Sequence, residues 1–301
     1  MRVSGRQREG WVHRSAALCV ALAWIAAAPA AADAPRIHGL WVWKGPAVLA
    51  APRGAERLRD FCRTQGVNEL YLAAFSHGDL TEVAALAASI ALLHHADVRV
   101  EALLSSTDAD QPGKHRQQLL ERVSAVVNFN RQHPHAPFDG IHLDIEPQQR
   151  AENKGAGNLR FLPGLLETFR AVRTLAEGAG LTVNADIQNK LLKGSADERR
   201  ALLQSLPRLT LMLYQLGSSS DGSSRAQQQQ QLLVASRAYL EKAYQDLSGP
   251  GLAGLVIALR TPDYGVLLPQ MLAALDDAND PNPHYLGWAR HSYNDTLADA
   301  P

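Results

Sequence analysis

From residue 37 onward the chain alternates between two patterns of apolar and polar positions. Short runs rich in β-branched and aliphatic residues predict strands over Ile37 to Trp43, Asn68 to Phe75, Val98 to Ser105, Phe138 to Glu146, Leu181 to Gln188, Leu209 to Leu216, Gly254 to Arg260 and Tyr285 to Arg290. Longer runs with apolar residues three and four apart predict helices over Ala55 to Gln65, Leu80 to Ala96, His115 to Arg131, Leu159 to Ala179, Ala196 to Leu206, Arg225 to Leu247 and Val266 to Ala278. Strict alternation of strand and helix implies parallel strands joined by right-handed crossovers, and eight such units in about 265 residues match a (β/α)8 TIM barrel. The expected fold is therefore α/β, a TIM barrel with a truncated last helix, because few residues follow strand eight. A doubly wound open sheet is the rival architecture. Its glycine-rich dinucleotide turn is missing after the first strand, where Trp43-Lys44-Gly45-Pro46 stands, so no cofactor is expected.

The fourth strand shows the sharpest division of faces. In Asp139-Gly140-Ile141-His142-Leu143-Asp144-Ile145-Glu146-Pro147 the aliphatics alternate with a histidine and two carboxylates, so one face is apolar and the other ionisable. Strand five repeats the arrangement, with Asn184, Asp186 and Gln188 alternating with Val183, Ala185 and Ile187. Strand six carries Met212 and Tyr214 on the inward parity, with Gln215 at its end. In such a barrel the chemistry sits at the carboxyl ends of the strands, so three adjacent strands direct polar groups to one side of the mouth. Trp43 closes strand one, Arg260 closes strand seven and strand eight carries Trp288. Indole faces stack on sugar rings, and tryptophans beside paired carboxylates suggest a carbohydrate substrate.

Composition narrows the setting. Arg2, Arg6, Arg8 and Arg14 precede an apolar run from Ala16 to Ala28, followed by Ala30-Ala31-Ala32, the pattern of a signal peptide over residues 1–32. The run is shorter than the ~20 residues of a membrane span, so no stable anchor is expected after cleavage. The expectation is an exported protein, periplasmic or extracellular, with one barrel domain over residues 33–301. Without its leader the chain carries 26 basic and 29 acidic residues, a net charge of −3 that does not suit nucleic acid or an anionic membrane. Cys62 then remains as the one cysteine, so stability rests on packing rather than on an internal disulfide. The Ser/Gly run Gly217 to Ser224 reads as a flexible connector, and Gln227 to Gln231 as a solvated helix face.

Asp139-Gly140-Ile141-His142-Leu143-Asp144-Ile145-Glu146 resembles the strand-four signature of family 18 glycoside hydrolases, D-G-x-D-x-D-x-E, with His142 replacing the second aspartate. Met212-Leu213-Tyr214-Gln215 resembles the family's strand-six M-x-Y-D, with Gln215 replacing aspartate, and Trp288 falls where the family carries a tryptophan beneath the sugar. The resemblance implies that Glu146 is a general acid, that Asp144 orients an N-acetyl group whose carbonyl oxygen attacks the anomeric carbon, and that Tyr214 hydrogen-bonds that carbonyl. His142, Asn184, Asp186, Gln188, Gln215, Trp43, Arg260 and Trp288 complete the expected sugar site. The two replacements argue for a related glycosidase rather than a chitinase. Two other readings use the same residues: a non-catalytic carbohydrate-binding protein on a degenerate hydrolase barrel, and a metal-dependent hydrolase holding its ion with His142, Asp144, Glu146 and Asp186. Retention of both Asp144 and Glu146 argues against the first. Against the second, no further histidine sits at a comparable inward position, so no metal is expected.

Overall fold

The computed structural model describes residues 35–155, 159–214 and 224–298, so the leader segment, Gln215 and most of the Ser/Gly run lie outside the described residues. Eight parallel strands close into a barrel: β1 (Ile37–Val42), β2 (Glu69–Leu72), β3 (Arg99–Ser106), β4 (Gly140–Ile145), β5 (Thr182–Gln188), β6 (Arg208–Met212), β7 (Gly254–Arg260) and β8 (Tyr285–His291). Each strand pairs with its neighbours in sequence, and β8 pairs with β1. The outer ring is formed by α1 (Gly54–Gln65), α2 (Val83–His94), α3 (Lys114–Gln132), α4 (Leu162–Glu177), α5 (Ala196–Leu203), α6 (Arg225–Tyr244), α7 (Leu268–Asn279) and α8 (Tyr293–Ala298). No helix of the described residues is long and apolar enough to cross a membrane.

The predicted alternation is realised, with local differences. Strand two stops at Leu72. Phe75–Ser76 instead folds back on Asp79–Leu80 as a small antiparallel hairpin. Its central residues His77 and Gly78 have φ of 52° and 98°, the left-handed pair that a tight two-residue hairpin requires, and α2 starts only at Val83. The eighth helix is the truncated one expected, a six-residue segment. In the glutamine run, Gln228 is buried rather than solvated, while Gln227 forms a capping box with Ser224 at the start of α6.

Two apolar zones follow from strand alternation. The larger lies between strands and helices and includes Leu40, Leu70, Leu104, Leu143, Ile187 and Leu211. The smaller lies inside the barrel around Trp41, Tyr71, Leu103, Met212, Val256 and Ala258. Gly39 faces inward: a Cβ there would sit 2.5 Å from the Tyr71 hydroxyl, so the missing side chain is what admits the tyrosine ring. At Gly140 a Cβ would sit 2.7 Å from the Thr182 hydroxyl and 3.1 Å from Glu101 Oε1, so the missing side chain leaves room for both.

The seam between the first and last strands is tied from outside. Asp276 on α7 accepts hydrogen bonds from the Tyr285 hydroxyl (2.8 Å) and the Trp288 indole (3.0 Å), and His38 Nε2 lies 2.9 Å from it. The His38 and Trp288 rings stack at 4.2 Å, and Arg36 reaches Asp280 at 2.7 Å as well as the Tyr285 carbonyl.

Candidate active site

The inward side chains of the strands form a charged floor. Arg208 on β6 donates to Glu69 on β2 (3.0 Å) and to Glu101 on β3 (2.8 Å), and all three are buried. Asn184 donates to Glu101 at 2.6 Å. His142 Nδ1 lies 3.2 Å from Glu101 Oε2 and Nε2 lies 2.8 Å from Asp186 Oδ1, so a carboxylate faces each ring nitrogen. Burial alone would discharge that ring, but Asp186 and Glu101 outweigh it and raise its pKa to about 9. Burial likewise pushes Glu101 towards protonation, yet Arg208 and His142 hold it below the ordinary carboxylate value. Glu69, desolvated and next to Glu101, is pushed up despite Arg208.

These contacts correct two expectations. His142 is fully buried with both nitrogens engaged, so it is out of reach of a substrate and has no nitrogen free for a metal. It bonds across to β3 and β5 rather than to Asp144 on its own strand. Asn184 lies one inward position below Asp186, towards the amino end, and its amide is held by Glu101 instead of facing the mouth. Among the described residues no group of three or more His, Cys, Asp or Glu side chains has metal-binding geometry.

Above the floor the mouth carries the second tier. Asp144 is 7% exposed, and its Oδ1 is buried with no hydrogen-bond partner among the described residues. Burial first, and then the charges of Asp186 and Glu146, push its carboxyl well above the ordinary range. Glu146 follows β4 at its carboxyl end and accepts from Gln188 (3.0 Å), Gln148 (3.0 Å) and Gln149. Burial raises its pKa too, against those amide donors and with Asp186 adding to the rise. Arg150 anchors the loop beyond Glu146 by two bonds to Asp110, at 2.6 and 2.9 Å, tying the loops after β3 and β4 together.

The raised pKa of Asp144 has a thermodynamic signature. A folded-state pKa above the unfolded one means that the folded chain keeps a proton which the unfolded chain releases. Stability is therefore lost as pH rises above the ordinary aspartate value, by at most ~1.4 kcal/mol per pH unit. Asp144→Asn cannot ionise, so its stability relative to wild type should improve as pH rises above the ordinary aspartate value of about 4, read in urea denaturation. A difference that stays constant with pH would show Asp144 titrating normally.

Tyr214, just beyond β6, is pushed well above its ordinary value by burial and then by Asp186 and Asp144, so its hydroxyl keeps its hydrogen as a donor. Arg260 stands 6.0 Å from the Tyr214 ring centroid and pairs with Asp263 at 2.7 Å. Trp43 joins the mouth through its indole, which donates to His291 Nε2 at 2.7 Å. Asp186 occupies the level between floor and mouth, accepting from the Trp41 indole at 3.2 Å as well as from His142. Thus Glu146, Asp144, Tyr214, Asp186, Gln188, Trp43 and Arg260 gather at the carboxyl end.

Trp288 does not join them. It lies outside the barrel wall, stacked on His38 and bonded to Asp276. The reason is an irregularity in β8 between Tyr285 and Gly287, where one extra residue reverses the parity of everything that follows. His291 takes the inward place, with its ring 5.6 Å from Tyr214, 5.8 Å from Trp41 and 5.9 Å from Trp43. Burial lowers the pKa of this ring, which leaves it neutral to accept from Trp43. Its sequence signal is Gly287, a residue that commonly marks a bulge inside a strand.

No protein-family model matches the sequence, and no curated protein does. Solved structures do resemble the fold. The glycoside hydrolase domain of PgaB (BpsB) from Bordetella bronchiseptica superposes with a TM-score of 0.53 at 14% identity, covering 89% of this chain and 96% of that one. A chitinase from Bacteroides thetaiotaomicron gives 0.55 at 14% identity over 88% and 93% of the two chains. A GH18 chitinase from Pseudoalteromonas aurantia gives 0.55 at 11% identity over 86% and 94%. At these identities the likeness is one of fold, and the chain shares the (β/α)8 barrel of chitinase-like glycoside hydrolases.

Proposed function

We propose that this protein is an exported glycoside hydrolase in which Glu146 is the general acid, Asp144 the assisting carboxyl and Tyr214 the hydroxyl that positions the substrate. The observation that carries the reading is the pair Asp144 and Glu146 at the carboxyl end of β4, two residues apart and ~7 Å between Cα atoms, with both carboxyls raised by burial. A general acid working near neutrality needs that environment. Glu146 gives its proton to the glycosidic oxygen as the bond to the anomeric carbon breaks. For a substrate with an N-acetyl group, the acetamido carbonyl oxygen supplies the new bond to that carbon, steered by Asp144 and by the Tyr214 hydroxyl. Water then displaces it, with Glu146 taking a proton back. Export follows from the charged, apolar and small-residue tripartite pattern of residues 1–32.

The test is release of reducing ends from a panel of bacterial and plant glycans by wild type beside Glu146→Gln. Release by wild type alone supports the hydrolase; tight binding of a glycan without release by either would make the protein a carbohydrate binder. Tyr214→Phe refines the substrate. A loss of about a hundredfold in kcat/KM is expected on an N-acetylated sugar, in keeping with removal of one oriented donor to a developing charge. A change of less than about threefold would point to a neutral hexose.

A further inference from the structure

His142 is enclosed from every side by groups whose chemistry is fixed. The Tyr71 ring from β2 stacks on it at 3.6 Å with an interplanar angle of 18°, and the Trp41 ring from β1 meets it edge-on at 5.8 Å. Glu101 from β3 and Asp186 from β5 take its two nitrogens. One step further out, Arg208 holds Glu101 and Glu69, and Asp144 is the next inward residue on β4. A neutral imidazole has one donor and one acceptor nitrogen, so it would turn a lone pair towards one of the two carboxylates; the imidazolium donates to both.

The far partner of this clamp lies just below the mouth. Asp186 uses Oδ1 to accept from His142 and Oδ2 to accept from the Trp41 indole, so a proton on either oxygen would displace a fixed donor. Asp144 has no such constraint, since its buried Oδ1 meets no partner among the described residues. We propose that His142 is a positioning residue, an imidazolium clamped between Glu101 and Asp186, which commits both Asp186 oxygens to accepting and leaves the carboxyl proton of the mouth on Asp144. The placement of that proton rests on these contacts and on the burial of Asp144, and is independent of the glycosidase reading. Its use, as a hydrogen bond from Asp144 to a substrate oxygen, rests on the glycosidase reading above.

The experiment is carbon and nitrogen NMR on the substrate-free protein, labelled at histidine ring nitrogens and aspartate carboxyl carbons. Between about pH 6 and pH 8, an interval in which a free histidine loses its charge, both ring nitrogens of His142 should stay protonated. Near pH 7 wild type should show one protonated aspartate, Asp144→Asn none, and His142→Gln a second protonated aspartate, on Asp186. A neutral His142 ring, the absence of any protonated aspartate in wild type, or a His142→Gln carboxyl spectrum identical to that of wild type would overturn the proposal. The ring-nitrogen measurement needs no variant, so it decides the matter even if His142→Gln fails to fold. No glycan is present, so an inactive protein with the expected spectrum would remove the glycosidase reading alone. An active protein with a neutral His142 would remove this proposal alone.

Discussion

Arg208→Met is expected to lower the stability of the protein by about 3–5 kcal/mol, the usual cost of removing one partner from a buried ion pair. The methionine keeps much of the side-chain stem, so the change isolates the charge. Without Arg208, Glu69 and Glu101 are left in the barrel interior with their strongest counter-charge gone, at positions 2% and 0% exposed. The loss should be read from urea denaturation near neutral pH. It should shrink in acid, where the two glutamates take up protons and no longer need a cation. Glu69→Gln added to Arg208→Met should restore part of the loss by removing one of the stranded charges. An unchanged denaturation midpoint in Arg208→Met would mean that the floor is not coupled to folding. His142 contributes with its own sign: its pKa is raised to about 9, so its contribution is complete below its ordinary value and is lost as pH rises through about 9.

Glu146→Gln is expected to lower kcat by about 10²–10⁴ on whichever glycan wild type cleaves, the range associated with losing a general acid. Binding should survive, because glutamine has the same shape and can still meet the Gln188 and Gln148 amides. The pH profile carries the mechanistic content. A general acid must be protonated, so wild-type kcat should fall as pH rises through the elevated pKa of Glu146, and that limb should be missing from the residual activity of the variant. Initial rates from about pH 4 to about pH 9 for both proteins provide the comparison. Residual turnover close to that of wild type would take Glu146 out of the mechanism and leave its three glutamine partners as a structural knot.

The strands, their order and the carboxylate pair were legible in the sequence because they depend on local periodicity. Ile141, Leu143 and Ile145 can face the helices only if His142, Asp144 and Glu146 face the barrel axis. Long-range pairing was not legible in the same way. The partners of His142 lie 41 and 44 residues away on β3 and β5, and no periodicity specifies which inward residues meet across a barrel. No local pattern therefore marks Glu101 and Glu69, although they carry the floor, or separates Asn184 and His142, which belong to that floor, from the residues that face the mouth. Trp288 shows a different failure, since alternation counted along β8 is broken by one extra residue. Gly287 was visible, but without the pairing register nothing showed that it changed the face of the tryptophan and brought His291 inward.

The seam between β1 and β8 also has a consequence for how the chain reaches this structure. Every other strand pair joins neighbours in sequence, whereas this one joins Ile37 to Gly287. In a partly formed barrel β1 therefore presents an unpaired edge until β8 joins it, and so does the strand at the other end of the growing sheet. Closure brings together the most distant pairing in the molecule and meets the largest loop entropy. Arg36, His38 and Asp276 then act as a latch, linking the first strand to the last helix–strand unit. A chain stopped before Tyr285 would keep seven strands but leave two open edges, each a template for a neighbouring chain. The barrel is thus sealed by β8, and its protection from aggregation arrives only with that strand.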